Sequence, residues 1–172
     1  ALADGRLDSG ADDGSIRLWD AQGNCTAVLE GHQGWVLALA ALPDGRLASG
    51  AGDGSIRVWD ALGNCTAVLK GHPDWVRALA VLPNGRLASG ADDGSIRLWD
   101  VRGKPVRTHV ALAGAKVLAL TVLGDVLVAG LGTGEILYFD IRPAALAHSS
   151  SLRRVLAARF QPFAQRRDRA GL

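Results

Sequence analysis

A histidine, a serine and an aspartate stand together twice in this chain of 172 residues, as His32, Ser49 and Asp53 and again as His72, Ser89 and Asp93. In a single exposed constellation such a set performs acyl transfer: the hydroxyl attacks, the imidazole takes its proton and the carboxylate orients the ring. Here the set recurs at a step of forty residues, each time followed by a tryptophan, Trp59 or Trp99. Catalysis wants one such constellation, whereas a brace is wanted in every copy of a repeated unit. No residue is therefore assigned a catalytic role, and the chain is not read as an enzyme.

The other chemically suggestive stretches fail on spacing. Asp12-Asp13-Gly14 and Asp92-Asp93-Gly94 lack the alternating oxygen ligands and closing glutamate of a calcium loop. Gly130-x-Gly132-x-Gly134 follows a strand, as a phosphate-binding loop would, but the next segment, Glu135 to Asp140, continues as a strand and not a helix. His109 and His148 stand without partners at ligand spacing. Neither a metal nor a cofactor is expected.

The elements that position the recurring residues are legible. Leu47 to Asp60, LASGAGDGSIRVWD, reads as two short strands joined at Gly52-Asp53-Gly54, with Ile56 and Val58 facing one side and Arg57 and Trp59 the other. Close copies run from Leu7 to Asp20 and from Leu87 to Asp100, and a worn one ends at Phe139-Asp140. Pro43-Asp44-Gly45, Pro83-Asn84-Gly85 and Gly63-Asn64 supply the remaining turn chemistry.

Gly31-His32 and Gly71-His72 precede Trp59-Asp60 and Trp99-Asp100 within each forty-residue unit. With these residues the chain resembles the WD-repeat family of β-propellers over Ala1 to about Arg142. The resemblance implies an all-β fold, a partial or small propeller of about four blades where seven is the family's commonest number. The implied organisation is a partial blade at 1–30, blades at 31–70 and 71–110, a degenerate blade at 111–142, and a basic tail at 143–172. Within the tail, Ser151 to Phe160 reads equally as an amphipathic helix or as a strand that supplies the opening blade with its missing first strand. His32, Ser49, Asp53 and Trp59, and likewise His72, Ser89, Asp93 and Trp99, match the family's structural hydrogen-bonded tetrad. The opening unit keeps Ser9, Asp13 and Trp19, and the fourth has Ala129, Thr133 and Phe139 in those places.

The repeats are most informative where they differ. Between Ala21–Asp60 and Ala61–Asp100 nine of forty positions change, among them Gln33/Pro73, Gly34/Asp74, Leu37/Arg77 and Gly52/Asp92. By resemblance these positions share one rim, the family's usual partner-binding face. Trp35 and Leu37 then present an apolar patch, Trp75, Arg77 and Asp92 a charged one, and Asp12 the equivalent position of the opening unit. The implied function is a non-catalytic scaffold or adaptor that binds a protein or peptide. The alternative is an assembly unit or fragment that self-associates or is completed by further blades; with no Met in the chain, a fragment or processed product is the expectation. An enzyme with a site in the central channel ranks below both, because the inner-strand segments Trp35 to Leu42, Trp75 to Leu82 and Lys116 to Leu123 are almost wholly apolar apart from Arg77 and Lys116.

The formal charge of +2 is unevenly spread: 1–150 carry 13 basic and 16 acidic residues, whereas 151–172 carry six arginines against Asp168. Without lysines or a recognised module, Arg153, Arg154, Arg159, Arg166, Arg167 and Arg169 read as a charged solvated end, not as a nucleic-acid or membrane contact. Cys25 and Cys65 occupy one position of successive repeats, on separate outer strands, so no disulfide is expected and the setting is an intracellular, cytoplasmic one.

Overall fold

A computed structural model describes residues 7–100, 105–111, 114–142 and 153–159, and all the regular structure among them is β. Sheet 1 contains β1 (Leu7–Gly10), β2 (Ile16–Trp19) and β3 (Cys25–Leu29). Sheet 2 contains β4 (Val36–Ala41), β5 (Leu47–Ala51), β6 (Ser55–Trp59) and β7 (Cys65–Lys70). Sheet 3 repeats this with β8 (Val76–Val81), β9 (Leu87–Ala91), β10 (Ser95–Trp99) and β11 (Pro105–Ala111). Sheet 4 contains β12 (Val117–Leu123), β13 (Val126–Leu131), β14 (Glu135–Asp140) and β15 (Arg153–Arg159). Each sheet is an antiparallel meander in chain order, the topology that short Gly-rich connections dictate.

The β5–β6 hairpin shows how the sequence writes these sheets. Its turn closes with Gly54 N–H donating to the Ala51 carbonyl at 3.1 Å, and Gly54 holds φ of 75°, which a glycine adopts without strain. A Cβ there would also lie 2.6 Å from the His72 carbonyl oxygen of the next sheet, so the position demands glycine twice over. At the far end of β6, Asp60 accepts from the backbone N–H groups of Leu62 and Asn64 at 2.9 and 2.8 Å. Asp20 after Trp19 accepts in the same way from Gln22 and Asn24, so the aspartate that follows the strand-ending tryptophan fixes the turn into the outer strand in sheets 1 and 2.

Within the stretch Ser151 to Phe160, the described residues 153–159 form neither the helix nor the completing strand of the opening unit. Residues 153–159 form β15, which pairs antiparallel with β14 as the outer strand of sheet 4, Ile136 opposite Ala158 and Leu137 opposite Ala157. The reason is proximity along the chain: the bare edge of β14 precedes β15 by the twelve residues 141–152, whereas sheet 1 lies at the other end of the chain.

Between consecutive sheets the cores are apolar. Ile16, Leu18 and Leu29 of sheet 1 pack on Val36, Leu47 and Trp59 of sheet 2, and Leu42, Ala48, Ile56 and Val58 of sheet 2 pack on Val76, Leu87 and Trp99 of sheet 3. Glycine sets the spacing, because a Cβ at Gly50 would meet Val76 Cγ1 at 2.6 Å and one at Gly90 would meet Val117 Cγ1 at 2.3 Å. In sheet 4, Ala129 and Phe139 are buried among Leu127, Leu131 and Leu137. An apolar pair thus stands where sheets 2 and 3 carry serine and tryptophan, and replacing both members of a hydrogen bond leaves no orphaned group.

Candidate functional site

The brace of sheet 2 is assembled from four elements. Trp59 ends β6, Ser49 is central in β5, Asp53 lies in the turn between them, and His32 comes from the loop before β4. The indole can only donate, so Trp59 Nε1–H gives its proton to Ser49 Oγ at 2.8 Å. The Asp53 carboxylate can only accept, so the ring proton of His32 sits on Nδ1 and is donated to Asp53 Oδ2 at 3.1 Å, which leaves Nε2 to accept from Ser49 Oγ–H at 2.7 Å. One direction of donation satisfies every group. Sheet 3 repeats it, with Trp99 Nε1 to Ser89 Oγ at 2.7 Å, Ser89 to His72 Nε2 at 2.7 Å, and His72 Nδ1 to Asp93 Oδ2 at 3.0 Å.

Two members of this network were not singled out from the sequence. Ser55 Oγ–H donates to Asp53 Oδ1 at 2.7 Å and Ser95 Oγ–H to Asp93 Oδ1 at 2.7 Å, each close against its histidine. The signal was available, since Ser15, Ser55 and Ser95 keep the forty-residue step. In sheet 1, Trp19 Nε1–H donates to Ser9 Oγ at 2.9 Å, while Asp13 is turned to Ser15 and Arg17 in a more exposed setting.

Burial pushes the His32 and His72 imidazoles below the usual histidine value, against the upward pull of Asp53 and Asp93. Burial would also raise the Asp53 carboxyl, but donation from the Gln33 N–H, from Ser55 and from His32 outweighs it and holds the group at about 2. Both effects act in the same direction on stability. Unfolded histidines take up protons below about pH 6.5 while the folded ones resist, so stability falls as pH drops through that value. The contribution of Asp53 is complete above about pH 4 and is lost as pH falls towards 2. Urea midpoints measured across pH should therefore be level above neutrality and decline in two stages below it. The upper stage should vanish from the His32→Gln/His72→Gln double variant.

Above the brace lies the rim. Trp35 stands 48% exposed, and its ring centroid is 5.4 Å from that of half-buried Trp75. The Arg77 guanidinium lies over the Trp75 ring, 4.7 Å from its centroid. Arg77 is held there by two parallel hydrogen bonds to Asp92, Nε to Oδ1 at 3.0 Å and a terminal nitrogen to Oδ2 at 2.9 Å. Lys116 Nζ, at the start of sheet 4, reaches the same Asp92 Oδ2 at 2.8 Å. These contacts, the one to Arg77 foremost, hold the Asp92 carboxyl below the usual range. Asp92 is thus a buried counter-ion to two cations, and what the rim shows outward is indole, positive charge and the exposed carboxylate of Asp74, whose charge acts on Arg77. Gly52 stands in its place in sheet 2, where a Cβ would lie 3.7 Å from Trp75; anything larger than alanine would press on that indole. Leu37 is half-buried beside Trp35, and Asp12 is exposed on sheet 1, outside the aromatic pair.

Among the described residues no group of three or more His, Cys, Asp or Glu could hold a metal ion, and no helix is long and apolar enough to cross a membrane. Arg166, Arg167, Arg169 and His148 lie outside the described residues.

Comparison with known proteins places this geometry. Residues 23–60 and 63–100 match the family model described as "WD domain, G-beta repeat". No curated protein matches the chain. Among solved structures it is similar to a crystal structure of the computationally designed Ika8 protein, at 30% identity and a TM-score of 0.75. That alignment covers 92% of this chain and 47% of the other, so the chain spans about half the length of that structure.

Proposed function

On the two matches to the WD-repeat model, we propose that the chain is a non-catalytic docking platform holding a protein or peptide on the rim around Trp35 and Trp75. Repeats of this family generally mediate protein–protein interaction. The observation that carries the reading is exposed Trp35 packed on half-buried Trp75, with Arg77 clamped over the Trp75 ring by a buried carboxylate. Tryptophan and arginine are the residues most enriched at interface hot spots, and a pre-ordered guanidinium gives up little side-chain entropy on binding. With Asp92 neutralised from within, Arg77 and Lys116 favour a partner segment that lays an apolar side chain on the indoles and a carboxylate beside them.

Burial supports the non-catalytic half of the reading. Ser49 and Ser89 are completely buried, as are the His32 and His72 side chains, so no substrate carbonyl can approach the hydroxyls. The exposed free thiols of Cys25 and Cys65 accord with a reducing intracellular setting.

A displayed peptide library panned against the chain tests the rim. Enriched sequences should pair an aromatic or aliphatic residue with Asp or Glu, and Trp75→Ala/Arg77→Ala should weaken the best of them at least thirtyfold, with the fold intact by circular dichroism. Undiminished capture by that double variant would remove this surface from consideration.

A further inference from the structure

We propose that His32 and His72 latch the rim to its sheets, and that mild acid releases the latch, freeing the loops of Trp35 and Trp75 while the strands stay paired. What the release does to a bound partner rests on the docking function proposed above; the latch itself does not.

One short loop carries both kinds of side chain. His32 turns inward to Ser49 and Asp53, and Trp35, three residues on, stands on the rim; His72 and Trp75 repeat the arrangement. The loop is tied to the hairpin turn below it. Asp53 Oδ2 accepts from His32 Nδ1 at 3.1 Å and from the Gln33 N–H at 2.9 Å, and the Gly52 N–H donates to the Trp35 carbonyl at 2.8 Å. In sheet 3, Asp93 Oδ2 accepts from His72 Nδ1 at 3.0 Å, and the Asp92 N–H donates to the Trp75 carbonyl at 2.9 Å. Pro73 has no N–H with which to repeat the Gln33 bond, so His72 carries a larger share of the hold there. In both sheets the residue that meets the tryptophan directly precedes the aspartate that meets the histidine, so the two attachments share one turn.

Only a neutral ring fits this arrangement. Each Nε2 accepts from a serine hydroxyl whose oxygen already takes the tryptophan proton. A second ring proton would turn Nε2 into a donor and leave the buried hydroxyl hydrogen without its acceptor. Both imidazoles are completely buried, so the added charge would also be taken out of water. Asp53 and Asp93 favour that charge, Arg57 on β6 and Arg97 on β10 oppose it, and burial prevails over both. The preceding sheets offer glycine backbone, Gly14 against the His32 carbonyl and Gly54 against the His72 carbonyl. Asp13, Arg17 and Glu30 border the cavity beside the His32 loop, the first two paired with each other, and Asp74 in the His72 loop is turned to the Trp75 N–H. In an opened loop the ring meets water and takes the proton that the latched ring refuses. Below about pH 6.5, opening therefore becomes about tenfold more favourable per pH unit for each loop, until the latched ring itself titrates.

Backbone amide exchange of the chain alone, followed by NMR between about pH 7.5 and about pH 5.5 and corrected for the intrinsic rate, is the test. The Gly52 and Asp92 N–H groups should be less protected than central amides of β5 and β9 at every pH, and their protection should fall about tenfold across the range. His72→Gln should abolish the fall at Asp92 and leave that at Gly52. Low urea should leave both rim rates unchanged, because a loop opening exposes little surface, and this reading needs no variant to fold. Level protection at the two rim amides overturns the proposal, as do rim rates that match the strand amides or rise with urea, or a His72→Gln effect shared equally by Gly52 and Asp92. No partner is present, so the latch can fail while docking stands, and peptide capture can fail while the latch stands.

Discussion

Trp99→Ala should lower the stability of the chain by about 4 kcal/mol, read as a fall in the urea midpoint at unchanged slope. The indole is buried between sheets 2 and 3, against Leu42, Ile56, Val58 and Val76, so its removal opens a cavity in a core that both sheets share. Truncating a buried tryptophan costs about 3–5 kcal/mol on packing grounds alone. The substitution also removes the donor that directs the hydrogen bonds of Ser89, His72 and Asp93. Trp99→Phe separates these contributions: it keeps most of the ring and loses only the donor, so it should cost about 1–2 kcal/mol. Equal losses for both substitutions would mean that the hydrogen bond, and not the packing, carries the position.

Gly90→Ala should cost at least about 2 kcal/mol, while Gly130→Ala, at the same place in the next repeat, should change stability by less than about 0.5 kcal/mol. Both glycines lie on central strands outside the left-handed region, so backbone strain is not the difference. What differs is the neighbour. A Cβ on Gly90 would sit 2.3 Å from Val117 Cγ1 and 2.9 Å from Val117 Cβ, a β-branched side chain fixed on β12. A Cβ on Gly130 meets only Ala119 Cβ, at an ordinary 3.6 Å. Thermal melts of the two variants side by side would show whether sheet spacing is set by these glycines; matched losses would refute it.

These contrasts also show what could be read in advance. The hairpins, their turns and the grouping of His, Ser, Asp and Trp are written within one forty-residue period, in residue types whose conformational and hydrogen-bonding demands are narrow. Gly54 and Asp60 announce their turns through local chemistry alone. The fate of residues 153–159 was not written that way. An alternation diluted by arginines suits either a helix or a strand, and only the open edge of β14 decides. The rim was half legible. Leu37/Arg77 and Gly52/Asp92 differ together because arginine and aspartate at those positions bond to each other across adjacent strands. That Lys116 joins them could not be seen, because it comes from the next sheet, at the position where the earlier repeats carry tryptophan. Asp92, read from the sequence as outward charge, is spent on the protein's own cations.

The account rests on tryptophans of two kinds, those that brace and those that display. Indole N–H exchange followed by NMR after transfer to deuterated water distinguishes them in a single experiment. Trp59 and Trp99, whose Nε1–H groups are buried against Ser49 and Ser89, should exchange only at the rate of global unfolding. Trp35 and Trp75 on the rim, and Trp19 on the open face of sheet 1, should exchange orders of magnitude faster. Exchange of Trp59 or Trp99 as fast as that of Trp35 would contradict the brace, and with it the fixed platform on which the proposed docking depends.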